Sequence, residues 1–217
     1  EISACLVGAE MCIRDRHMRN KYPAFAEKMF FCPRSYFMDV ISDENTLENE
    51  SKIINFSYTG VLTNRSLLPL LKSIQDFNLS SDYIINFNFY GRGDLESLEL
   101  LSNTPNCFYH GEKSFADMPD IYRQNEVLVM IGNPSGTQIP GKLYDYFATD
   151  RKIVCLLEDL GDDVAAFIES TKRCYVFKNS IGCIDLEMVI KSKVVYKPLL
   201  EYSPEYIARR LISELSC

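Results

Sequence analysis

No stretch of the sequence approaches the roughly 20 consecutive apolar residues that a helix needs to cross a bilayer. The start also lacks the basic region ahead of an apolar core that marks a signal peptide, with Glu1 and Glu10 flanking it instead. A surplus of basic residues is missing too. The net charge is −7, which argues against a nucleic-acid partner, since binding one requires a basic stripe to neutralise phosphates. That balance still permits a nucleotide ligand, because one phosphate pocket needs only a few local cations and amides. Histidine is scarce, with only His17 and His110, too few for a histidine-based metal site. Cysteine is not scarce, but no C-x-x-C pair occurs. The spacings of Cys5, Cys12, Cys32, Cys107, Cys155, Cys174, Cys183 and Cys217 match no zinc or disulfide module. They read as reduced thiols of a cytoplasmic protein, and those in apolar runs as small hydrophobes. What is present is the balance of a globular protein, 47% hydrophobic and 24% charged in 217 residues.

From about residue 52 two kinds of segment alternate. Short runs rich in β-branched and aromatic residues predict strands at Ile53–Tyr58, Tyr83–Tyr90, Cys107–Tyr109, Val127–Ile131, Ile153–Leu157 and Tyr175–Phe177. Several are apolar almost throughout, the pattern of strands covered on both faces of a parallel sheet. Between them, Leu67, Leu68, Leu71 and Ile74 recur at helical spacing, so Ser66–Phe77 predicts an amphipathic helix with Pro69 in its first turn. Further helices are expected at Leu95–Ser102, Phe115–Gln124, Lys142–Ala148, Asp163–Ser170 and Leu186–Lys191. The last, Pro204–Leu215, has Ser203 as N-cap and Pro204 at the first helical position. Repeated strand–helix alternation implies right-handed βαβ units. The expected fold class is α/β, a Rossmann-like parallel sheet with helices on both faces.

Three loops fall where such a sheet binds ligands, at the carboxyl ends of its strands. In Tyr58-Thr59-Gly60-Val61-Leu62-Thr63-Asn64-Arg65, Gly60 allows a sharp turn or a close backbone approach. Arg65 adds a charged fork suited to phosphate. An ordinary tight turn with a solvated arginine explains the same residues. Phe89-Tyr90-Gly91-Arg92-Gly93-Asp94 suggests a second tight turn. It is not a G-x-G-x-x-G fingerprint, because Glu96 stands at the third glycine position, which excludes dinucleotide binding on that motif. In Gly136-Thr137-Gln138-Ile139-Pro140-Gly141-Lys142-Leu143-Tyr144-Asp145, Pro140-Gly141 ends a loop and opens a helix. The N–H groups near Lys142 and Leu143 then point at an incoming phosphate. Lys142 supplies a mobile cation, and Asp145, one turn on, is placed to accept ribose hydroxyls. The competing reading is an amphipathic helix with Leu143, Tyr144 and Phe147 in the core.

The segment Gln138–Tyr146 resembles the P-x-K-hydrophobic-aromatic-acidic-Tyr stretch of family 4-like glycosyltransferases of the GT-B fold. Tyr58-Thr59-Gly60 resembles the opening strand and turn of that family's C-terminal domain, and Phe89–Gly93 its second strand end. Phe108-Tyr109-His110-Gly111 and Met118–Tyr122 are similar to its next strand and helix. Asn20–Tyr36 resembles the end of the N-terminal domain, with Lys28–Pro33 as its last strand. The likeness covers about residues 17–215. Leu6–Arg16 instead resembles a translated sequencing-adaptor read-through, the alternative being a short amphipathic helix. The expected organisation is therefore an artefactual segment at 1–16 and a remnant of an N-terminal domain with its linker at 17–50. A nucleotide-sugar-binding domain at 51–200 and a C-terminal helix at 201–217 follow.

The resemblance implies a glycosyltransferase fragment that binds a UDP- or GDP-sugar for transfer to a glycan or lipid-linked acceptor. It implies donor-phosphate contacts at Gly60, Arg65, Gly141, Lys142 and Leu143, and a ribose contact at Asp145. The acceptor site and most of the catalytic machinery belong to the missing N-terminal domain, so no catalytic residue is assigned. Neither a cofactor nor a metal is expected, in keeping with the absence of a D-x-D segment. Peripheral association of the full-length enzyme with the inner face of the membrane goes with the same family. Where the family has an acidic residue against the donor sugar, this sequence has Thr137. Two other readings stay open: a nucleotide-sugar 2-epimerase-like enzyme, and a non-catalytic α/β nucleotide-binding or interaction module.

Overall fold

The computed structural model describes residues 19, 21–30, 32–42, 51–134 and 139–215. The segment Leu6–Arg16 and Thr137 lie outside them. Six strands form one sheet: β1 (Ile53–Val61), β2 (Ile84–Arg92), β3 (Cys107–Tyr109), β4 (Val127–Ile131), β5 (Lys152–Leu157) and β6 (Cys174–Lys178). Their order is β3-β2-β1-β4-β5-β6, and every pairing is parallel. This is the Rossmann-like order, in which the chain reverses its direction of winding between β1 and β4.

The apolar strands are covered on both sides, for the reason the sequence suggests. Along β4, Val127, Val129 and Ile131 enter one core while Leu128 and Met130 enter the other. The first face is covered by α1 (Leu68–Ser80), α2 (Leu95–Ser102) and α6 (Leu186–Lys191), which contribute Leu70, Leu71, Ile74, Leu101, Leu186 and Val189. The second is covered by α3 (Met118–Arg123), α4 (Lys142–Phe147) and α5 (Asp163–Ser170), through Ile121, Tyr122, Leu143, Tyr144, Tyr146, Phe147, Val164 and Ile168. A final helix, α7 (Pro204–Leu215), is capped as its sequence implies: the Tyr206 N–H donates to Ser203 Oγ at 3.2 Å. None of the described helices is long and apolar enough to cross a membrane. Cys155 is buried, and burial pushes the half-buried Cys107 thiol up to about 12, the behaviour of core residues rather than of reactive thiolates.

Three local expectations need correction. First, β1 and β2 do not end at Tyr58 and Tyr90 in glycine turns. They run on to Val61 and Arg92, with Gly60 and Gly91 directly paired. The two glycines have φ of +122° and +144°, and a Cβ on Gly91 would lie 1.9 Å from the Gly60 carbonyl oxygen. The glycines thus permit close approach of two strands, not a turn. Second, Phe115–Gln124 is not one helix. A 3-10 turn at Phe115–Asp117, held by a Ser114–Asp117 capping box, precedes α3, with Pro119 in the first turn of α3. Third, Pro23–Lys28 is a 3-10 helix, at the point where the strand resembling the end of an N-terminal domain was expected to begin.

Residues 32–42 pack onto the second face of the sheet. Tyr36, Met38 and Ile41 are buried in the same core as α3, α4 and α5. Ile41 makes a parallel bridge with Thr149; its N–H donates to the Ala148 carbonyl at 2.9 Å and its carbonyl accepts from Asp150 at 3.0 Å. The Tyr36 N–H donates to the Tyr202 carbonyl at 3.1 Å. The segment is therefore strapped across α4 from its first turn to its end.

Candidate functional site

The ends of β1 and β4 define the crevice at which the sheet reverses its winding. Thr59 and Tyr146 bind them together: the two hydroxyls lie 3.1 Å apart, and the Tyr146 hydroxyl also donates to the Val129 carbonyl at 3.1 Å. Burial raises the Tyr146 pKa well above its ordinary value, so this phenol is a neutral strut.

Above the strut sit two cations. The ammonium of Lys142, from the first residue of α4, donates to the Thr59 carbonyl. It stands 3.7 Å from the centroid of the Tyr58 ring. The space it occupies exists because residue 60 is glycine, as a Cβ there would come within 2.8 Å of Nζ. Arg65 closes the same corner. Its Nη1 donates to the Tyr58 hydroxyl at 3.3 Å and to the Val61 carbonyl at 2.5 Å, and Nη2 donates to Asn133, just beyond β4. Burial first, and then the nearby Arg65 charge, hold the Lys142 pKa well below the usual lysine value. Among the described residues no carboxylate lies within salt-bridge distance of Arg65 or Lys142. Arg65 Nε is buried and finds no acceptor among them.

On the other side of the α4 entrance the geometry is different. Gly141 has helical backbone angles, φ −56° and ψ −32°, so its lack of a side chain serves space rather than conformation. A Cβ there would lie 2.0 Å from Nη1 of Arg34. The Arg34 guanidinium stacks 4.6 Å from the centroid of Phe37, and its Nε is buried without an acceptor among the described residues. Asp145 is 6% exposed and accepts the Phe37 N–H at 3.2 Å. Burial raises its pKa, against lowering by that hydrogen bond and by the Arg34 charge.

The structure thus brings Gly60, Arg65 and Lys142 into one corner. It sets Gly141 and Asp145 beside Arg34 and Phe37. Leu143 is fully buried in the core, and its N–H is donated to the Pro140 carbonyl at 3.0 Å, so the amide expected to meet a phosphate is already spent inside the turn that opens α4. Sequence reasoning missed Arg34, Tyr58 and Asn133. Arg92 pairs with Glu112 at 2.7 Å on the surface. Chemically, two cations with no acid partner among the described residues, above a floor of peptide groups, can hold an anion and stabilise charge that develops on it.

No family model matches the chain, and no curated protein is significantly similar to it in sequence. Among solved structures it is similar to the crystal structure of accessory secretory protein 1, 2 and 3 in Streptococcus pneumoniae. The TM-score is 0.57 at 9% identity, over 93% of this chain and 41% of that one. At that identity the likeness shows the fold alone. Together with the strand order it defines the class as a Rossmann-like α/β fold of the kind that makes up half of a GT-B architecture. The chain spans about two fifths of the length of that neighbour, 41%.

Proposed function

We propose that this chain is the donor-binding part of a glycosyltransferase, taking a UDP- or GDP-sugar at the crevice between β1 and β4. The observation that supports this best is the convergence of Arg65 and Lys142, from opposite sides of the crevice, with no carboxylate in salt-bridge reach among the described residues. A half-buried pair of like charges is costly unless an anion joins it. A nucleoside diphosphate supplies that anion, and its departure from the sugar builds the negative charge that the pair would stabilise. Asp145 reaches the ribose through the carboxylate oxygen that Phe37 leaves free. The acceptor, a glycan or lipid-linked glycan, docks against a further domain, and the full-length enzyme works at the cytoplasmic face of a membrane without a bound metal.

Calorimetric titration of the chain with UDP and GDP, beside a transfer assay on the same sample, tests this reading. Weak binding without multiple-turnover transfer is the expected result, because the glycosyltransferase resemblance assigns the opposite wall of the cleft and the acceptor site to a further domain. Failure of both nucleotides to bind at millimolar concentration sinks it. A second reading, the non-catalytic module, is favoured by one contact: Asp145 already holds the Phe37 N–H, which is a scaffold role. In that case inorganic pyrophosphate binds as well as UDP, since the nucleoside makes no contact of its own.

A further inference from the structure

Arg34 is a third cation at this site. It is contributed by the strap of residues 32–42 rather than by the loops of the sheet. Its Nη1 lies against Gly141, in the room that a side chain at that position would fill. The exposed Phe37 ring lies 4.6 Å from its guanidinium, and the Phe37 backbone is fixed through its N–H on Asp145 at 3.2 Å. The guanidinium thus rests on that ring, and its Nε is buried without an acceptor among the described residues. Asp145 is the acid whose charge it feels, but the two make no ion pair within salt-bridge distance. Arg65 and Lys142 occupy a separate station. Lys142 turns its ammonium away from Gly141 towards Thr59 and Tyr58, where Arg65 meets the same tyrosine. One small anion can satisfy that corner and still leave Arg34 unanswered.

We infer that the ligand of this crevice carries two separate anionic groups, the first met by Arg65 and Lys142 and the second by Arg34. This rests on the nucleotide reading above and narrows its substrate class. The second group is a planar or tetrahedral oxyanion suited to a guanidinium fork. With the diphosphate taken by Arg65 and Lys142, it is a carboxylate on the sugar of the donor. The strap is then part of the binding site and not a linker, and Arg34 is a specificity-determining residue of it.

Calorimetric titration of the whole chain with UMP, UDP, UDP-glucose and UDP-glucuronate tests the inference, using the wild-type protein, R34Q and R34K. Addition of the second anionic group should strengthen wild-type binding by about tenfold or more, the scale of a charge-assisted hydrogen bond. A step from UDP-glucose to UDP-glucuronate that depends on Arg34 assigns the sugar carboxylate; an Arg34-dependent step from UMP to UDP alone overturns the inference. R34Q should abolish that step and leave affinity for the ligand below it within about twofold. R34K, which keeps the charge without the fork, should retain part of it and carries the test if R34Q does not fold. A step that survives in both variants, or an equal loss for all four ligands, overturns the inference and leaves the nucleotide reading standing. If none of the four binds the wild-type chain, both fall.

Discussion

Lys142 stands over the ring of Tyr58, with its ammonium 3.7 Å from the ring centroid and in the space that Gly60 leaves open. The contact joins the first residue of α4 to β1 across the crevice, and it holds the cation by a π face and a carbonyl rather than by an acid. A carboxylate partner would neutralise the lysine, whereas this arrangement leaves its charge available to a ligand.

Lys142 should therefore cost the protein stability. Its pKa is depressed in the folded chain, so between that lowered value and the ordinary lysine value the unfolded chain binds more protons. Stability consequently rises with pH across that window. Lys142→Met should flatten this rise, raise the melting temperature near neutral pH by about 2–4 °C and weaken UDP binding by about tenfold or more. Parallel melting curves and titrations check it; a variant that is less stable at neutral pH and binds normally refutes the assignment.

Asp145 should behave similarly, with the opposite proton sign. Its pKa is raised, chiefly by burial, so the folded chain binds more protons between the ordinary aspartate value and the raised one. Stability contributed by this group is full at low pH and is lost as pH rises through the folded value. Asp145→Asn should raise stability at pH 7 by up to about 1 kcal/mol. It should weaken UDP more than pyrophosphate if the carboxylate reaches ribose. An equal effect on both ligands would assign Asp145 to the scaffold alone.

Ligand binding should take up protons. A phosphate beside Lys142 favours its charged form and raises its pKa, against the burial and the Arg65 charge that lower it in the free chain. UDP binding enthalpies measured in buffers of different ionisation heat should reveal uptake, largest near the free-chain pKa of Lys142. The uptake should vanish in Lys142→Met.

The two paired glycines should differ in their response to substitution. Gly60→Ala pushes a Cβ against the mobile end of Lys142, whereas Gly91→Ala pushes one onto the main-chain oxygen of residue 60. Both positions have positive φ. Denaturant unfolding should show a loss of about 1–3 kcal/mol for Gly60→Ala and more for Gly91→Ala. Only the milder variant should remain folded enough to show weakened nucleotide binding through a displaced lysine.

Much of the fold was legible because the strands of a sheet covered on both faces advertise themselves as unbroken apolar runs. Val127–Ile131 is completely buried and could be read directly. The extensions of β1 and β2 were hidden by Gly60 and Gly91, which read as breakers by local rules but serve here for strand approach. Within the site, Arg65 and Lys142 were visible through their positions after a strand and at the start of a helix. Arg34 was not, because nothing local marks it: its role depends on a segment whose anchoring contact, Phe37 to Asp145, spans 108 residues. Long-range straps leave no periodic trace, and a solvated arginine in a linker has the same local sequence.

The pairing of Gly60 with Gly91 also bears on how this site can change over generations. Beneath the cations, the carboxyl edge of β1 and β2 is bare peptide, and a peptide group cannot be exchanged by point mutation. A side chain at position 91 would meet backbone, and one at position 60 would meet the cation itself. Drift is thereby confined to the walls: Arg34 on its strap, Arg65 and Asn133 at the rim. On the donor-binding reading, the resting place of the anion is then a fixed address, while the identity of what arrives there is free to evolve around it.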